Sequence, residues 1–99
     1  MIYVSHPYSG DVKNKHKVER IIRKLVIDEP NEIFISPVHA FGFMYNDVDY
    51  DKGMDMCLAL LSKCHKMYVF GSWTQSKGCQ REILFAENLK MQVQIRENQ

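Results

Sequence analysis

Met67-Tyr68-Val69-Phe70-Gly71-Ser72-Trp73-Thr74-Gln75-Ser76-Lys77-Gly78-Cys79-Gln80-Arg81-Glu82-Ile83-Leu84-Phe85-Ala86 decides the fold. Its first four residues form a continuous apolar run, the mark of a strand buried on both faces. Gly71 to Lys77 is a polar loop, and from Gly78 to Lys90 the chain reads as a helix with Cys79, Ile83, Ala86 and the stem of Lys90 on one side. The same alternation recurs upstream. Ile2-Tyr3-Val4-Ser5 is a short strand closed by Pro7 and Gly10, and Val18, Ile21, Ile22 and Leu25 then fall at i, i+3, i+4 and i+7 of a helix over 12–28. Pro30 and Asn31 stop that helix, and Ile33-Phe34-Ile35-Ser36 is a second strand closed by Pro37.

Residues 38–52 read as a long loop rich in aromatics, followed by a helix over 52–64 and a weak last strand over 92–95. In the 52–64 helix Met54, Cys57, Leu58 and Leu61 make one apolar stripe, while Met56, Ala59 and Leu60 add apolar character elsewhere. A helix apolar nearly all round is covered on more than one side, and in so small a domain a second copy of the chain is the expected second cover. Strands alternating with helices imply a parallel sheet with helices on both faces, and right-handed crossovers make a small flavodoxin-like (Rossmann-like) order the natural one. In such sheets ligands sit beyond the carboxyl ends of the strands. The loops there are 5–11, 37–51 and 71–78.

Composition bounds the function. Ninety-nine residues make a single domain. A formal charge of +1 gives no general attraction to nucleic acid polymers or anionic membranes, and neither is an expected partner. No secretory leader or apolar span of membrane length is present in the sequence, so the expected compartment is the cytoplasm. Cys57, Cys64 and Cys79 cannot all pair with one another and read as reduced thiols in or near a core. Cys57, Cys64 and His65 lack the close ligand pairs of structural zinc motifs, and neither a metal nor a cofactor is expected.

Three constellations carry chemistry. In the first, Ser76 and Gly78 stand where a helix begins, where backbone N–H groups and the helix dipole favour an anion, and Glu82 projects from the same face one turn later. An N-cap serine with an early-turn acid accounts for the same residues equally well. The second is the loop Ser5-His6-Pro7-Tyr8-Ser9-Gly10, which offers hydroxyls, an aromatic plate and an adaptable glycine without GxGxxG or Walker spacing. Turn chemistry alone also explains its Pro, Ser and Gly. The third is Asp55 and Cys57 with the acidic cluster Asp47, Asp49 and Asp51, which is either acid–base machinery or a solvated acidic loop. His39 suits contact with a base or a structural role. Lys17, Glu19, Arg20, Arg23 and Lys24 on the first helix read as a solvated face, with a phosphate contact as the alternative.

Two segments resemble the nucleoside 2-deoxyribosyltransferase-like proteins, in particular their short branch often found in bacteriophage genomes. Ile2 to Gly10 is similar to the opening strand and loop of that family, and Phe70 to Ala86 to its signature of strand, loop, Ser-x-Gly, then Glu and a small residue. Ser36-Pro37-Val38-His39 resembles its second strand end. The resemblance implies a homodimer that cleaves or exchanges the N-glycosidic bond of a nucleoside or nucleotide. It implies that Glu82 attacks the anomeric carbon, and that Ser76 and Gly78 bind a 5′-phosphate or 5′-hydroxyl. Tyr8 is expected to orient Glu82. Where the family carries an aspartate that assists the leaving base this chain has Cys57, with Asp55 two residues and about 200° of helix away. That departure keeps a second reading open, a catalytically weak binder of a nucleotide or an NAD-derived signalling molecule.

Overall fold

The computed structural model describes residues 1–96. Four strands, β1 (Ile2–Ser5), β2 (Phe34–Ile35), β3 (Lys66–Val69) and β4 (Gln92–Ile95), form one parallel sheet in the order β2-β1-β3-β4. Four α-helices connect them: α1 (Val12–Asp28), α2 (Pro37–Phe41), α3 (Tyr50–Leu61) and α4 (Lys77–Asn88). This is a small flavodoxin-like α/β fold.

The period-2 alternation of β1 divides the core. Ile2 and Val4 join Tyr68 and Phe70 on one face, packed against Val18, Ile21 and Leu25 of α1. Tyr3 lies on the other face with Met67 and Val69, against Leu61 at the end of α3 and Ala86 of α4. β1 is central, and its four residues are completely buried, Ser5 included. Burying a Val- or Ile-sized side chain is worth about 1.5–3 kcal/mol, so these two layers account for much of what holds the sheet.

The aromatic stretch after β2 departs from the expectation of a structureless loop. Ser36 caps α2 by accepting from the His39 amide, Pro37 occupies the first turn, and a 3-10 turn covers Gly42–Met44. Pro37 therefore opens a helix instead of merely closing a strand, as proline does when its missing N–H falls where no partner is needed. The next helix starts two residues earlier than the sequence suggests because Asp49 caps it, accepting from the Lys52 amide at 2.7 Å.

Two glycines shape the carboxyl end of the sheet. Gly71 has φ +76°, and a Cβ there would lie 2.9 Å from His6 Nε2 and 3.1 Å from the Pro7 ring. The loops after the neighbouring strands β1 and β3 thus meet with no room for a side chain between them. Gly10, at φ +72°, likewise lets the turn after β1 close on the Tyr45 ring, 3.0 Å from where a Cβ would be. Among the described residues no helix is long and apolar enough to cross a membrane.

Candidate functional site

The site is built across β1 and α4. Ser76 starts α4, its hydroxyl accepting from the Cys79 amide at 3.2 Å. About one, two and three turns on, Cys79, Glu82 and Ala86 fall on the face turned to the sheet and are buried. Tyr3 and Ser5, two apart on β1, point to that same face. The Tyr3 hydroxyl donates to Glu82 Oε2, and Ser5 Oγ donates to Glu82 Oε1 at 2.7 Å. Ser5 Oγ also lies 3.4 Å from Cys79 Sγ.

Glu82 is only 5 % exposed. Removing a carboxylate from water disfavours its charged form, and burial holds Glu82 above the usual carboxylate range against the opposing pull of the Tyr3 and Ser5 hydroxyls. Burial and the neighbouring carboxylate in turn push the Tyr3 phenol well above its ordinary value. Among the described residues no buried side-chain polar atom lacks a partner. Each Glu82 oxygen carries one of these bonds, so lone pairs remain on both.

Cys57 of α3 belongs to the same cluster. Burial and the Glu82 carboxylate push its thiol up to about 11, with the Tyr3 hydroxyl pulling the other way. Asp55 is exposed and does not share that position. The sequence reading that gave Asp55 a catalytic place is therefore corrected: the two-residue offset turns its side chain outward, and a thiol faces the glutamate.

Tyr8 is the second correction. Its ring packs with the α1-side core, edge-on to Tyr45 at 5.4 Å between centroids, and its hydroxyl lies 3.4 Å from where a Cβ on Gly42 would stand. The phenol on Glu82 is that of Tyr3. His39 is the third. Its ring nitrogens meet Ser36 Oγ at 3.1 Å and Glu19 of α1 at 2.9 Å, on the opposite side of the sheet from Glu82. A base contact there has no support, because both nitrogens are engaged by the protein.

The remaining sequence-picked residues stand at the carboxyl ends of β1 and β3. His6 Nδ1 donates to the Pro7 carbonyl at 2.7 Å, which fixes its tautomer when neutral. Ser9 is exposed at φ +53°, an uncommon conformation for a non-glycine residue, and leads into Gly10. At Gly78 a Cβ would meet Met54 Sδ at 3.7 Å and the Tyr50 hydroxyl at 4.0 Å, ordinary contact distances. No protein atom therefore demands glycine at that position, and a small side chain there would simply touch α3. Arg81 borders it, its guanidinium 5.4 Å from the Tyr50 ring centre and 3.3 Å from Asp51. Cys57, Cys64 and Cys79 are all free, and no group of three or more His, Cys, Asp or Glu is placed to hold a metal among the described residues.

Residues 1–96 match the model of a protein family described as a domain of unknown function, DUF7768. The chain belongs to that family. No curated protein matches it. The match spans both halves of the site in DUF7768, the β1 residues Tyr3 and Ser5 and the α4 residue Glu82.

Substitution separates the carboxylate's charge from its hydrogen bonds. Glu82→Ala strands two buried hydroxyls and is expected to cost about 1–3 kcal/mol in urea unfolding. Glu82→Gln keeps an acceptor and removes the charge. Because the folded pKa is raised, wild-type stability from this group is full below the unfolded carboxylate range and declines as pH rises through the folded value. The Gln variant is expected to lack that decline and to match or exceed wild type at neutral pH. Equal destabilisation by Gln and Ala would contradict this.

Proposed function

We propose that this protein cleaves or exchanges the N-glycosidic bond of a nucleoside or nucleotide through Glu82. The observation that carries the reading is the buried carboxylate gripped by Tyr3 and Ser5 near the carboxyl end of the sheet, where α/β folds bind their ligands. In the reaction a Glu82 oxygen bonds to the anomeric carbon, and the carbon–nitrogen bond breaks with its electron pair leaving on the base. Water or a second base then attacks the same carbon and releases the carboxylate. Held by two hydroxyls, the carboxylate is positioned without rotamer search, and its raised pKa reflects a desolvated nucleophile. Ser76 and Gly78, at the start of the same helix, are the proposed binding residues for the 5′ end of the sugar. The resemblance to the nucleoside 2-deoxyribosyltransferase-like proteins points the same way.

Cys57 favours the second reading, a domain that binds a nucleotide or an NAD-derived signalling molecule with little turnover. A thiol near 11 is a poor proton donor to a departing base at neutral pH. Under the enzyme reading the base takes its proton from water.

Incubation with deoxynucleoside monophosphates, followed by chromatography for free base, decides between the two. Release by the wild type and a loss of about a thousandfold or more in Glu82→Gln are expected. The acid limb of the rate profile should lie above the ordinary carboxylate range, since only the ionised Glu82 attacks. Saturable nucleotide binding with no release selects the binder, and release retained by Glu82→Gln removes the nucleophile from the account.

Pairing of two copies belongs to the same proposal. α3 and α4 share a face of the sheet and carry half-buried Met56 and Leu60 and, at 62 % exposure, Leu84. Sedimentation should show a dimer at micromolar concentration, weakened by Leu84→Asp. A wild-type monomer would end this part of the reading.

A further inference from the structure

A cavity of about 430 Å³ opens on the other side of the β1–β3 junction, between the loops that follow these strands and helix α1. That volume lies in the range of small-ligand sites. Its polar lining is one-signed: Lys17 and Arg20 of α1, with Asn14, His6 and Ser72, and no carboxylate. Among the described residues neither Lys17 nor Arg20 has an ion-pair partner, although α1 also carries Glu19, which is taken up by His39, and Asp28, which is taken up by Lys24. The cations at this cavity are therefore uncompensated, and a low-dielectric wall concentrates their field.

Two parts of the cavity wall are held by the fold. Asn14 Nδ2 donates to the Tyr8 carbonyl at 3.0 Å, tying the first turn of α1 to the β1 loop. His6 is held by the Pro7 carbonyl on one side and by the close approach of Gly71 on the other. Lys17 and Arg20, three apart on α1, present their ends to one opening. The arrangement sits where the connections from β1 and β3 leave for opposite faces of the sheet, the place at which open α/β sheets take up ligands.

We propose that this cavity is an anion site for the phosphate or pyrophosphate of a small molecule, bound by Lys17 and Arg20 with Ser72 and Asn14. It is separate from the start of α4, and it goes beyond the glycosidic reading because it requires no nucleophile at Glu82. Guanidinium and ammonium groups suit phosphate oxygens, the first by paired N–H bonds and the second as a point charge. The alternative of a phosphate contact on α1 is thereby narrowed to Lys17 and Arg20.

The test is a titration of the full chain with inorganic pyrophosphate, then with a nucleoside 5′-monophosphate, followed by amide NMR and calorimetry. Binding is expected to shift the amides of His6, Gly71 and Ser72. The double variant Lys17→Gln and Arg20→Gln, which alters two exposed positions and keeps the helix, should bind at least tenfold more weakly with an unchanged circular dichroism spectrum. Because these probes need no turnover, the result is independent of whether Glu82 releases a base. The proposal is overturned if neither probe binds at millimolar concentration, or if the double variant binds as wild type does. Shifts confined to Ser76–Gly78, or binding only of a single-stranded oligonucleotide, overturn it as well.

Discussion

A carboxylate buried between a central strand and a helix has to be satisfied by the protein, because leaving it unpaired costs far more than a small domain can spare. Here Tyr3 and Ser5 meet that demand from β1, and the demand ties the first strand to the last long helix across nearly the whole sequence. The rest of the layout follows. β1 must be central to be covered on both faces, Ser76 must cap α4 so that Glu82 faces inward, and Cys57 and Cys79 fill the small spaces beside the carboxylate. A hydrophobic residue at 82 would pack as well and be simpler to bury. The chain instead carries an acid there, with lone pairs free on both oxygens.

The junction of β1 and β3 organises two regions with opposite character. On the α4 side lies an acid among hydroxyls and thiols; on the α1 side lie unpaired cations around a cavity. Gly71 against His6 locks the two loops together between them.

Much of the fold was legible because apolar runs and helical spacing agree with one another: all four strands and the three long helices fall close to where periodicity places them. The short α2 was hidden because Ser36-Pro37 serves equally as a strand stop and a helix start, and only tertiary context selects the second. Glu82 was legible from its place one turn after Gly78 in the helix that Ser76 opens. Its partner was not. Tyr3 reads as one more apolar strand residue, whereas Tyr8 stands in a polar loop and attracts attention; the period-2 rule, which puts Tyr3 and Ser5 on one face, was the signal available. For Asp55 the helical offset from Cys57 already argued against it, and its exposure agrees. Lys17 and Arg20 look like any solvated helix residues until the loops after β1 and β3 are placed beside them.

The ionisation of Glu82 is the property on which the site most directly depends. Carboxyl carbon NMR of protein labelled at glutamate side chains, with Glu82→Gln identifying the resonance, measures it. Glu82 is expected to titrate above the ordinary value of about 4.3, while Glu19 and Glu29 titrate lower because His39 and Tyr68 hydrogen-bond their charged forms. Tyr3→Phe removes a donor to the carboxylate and should move the Glu82 midpoint further up. A Glu82 midpoint at or below the ordinary value, unmoved by Tyr3→Phe, would show a solvated surface acid and contradict the site.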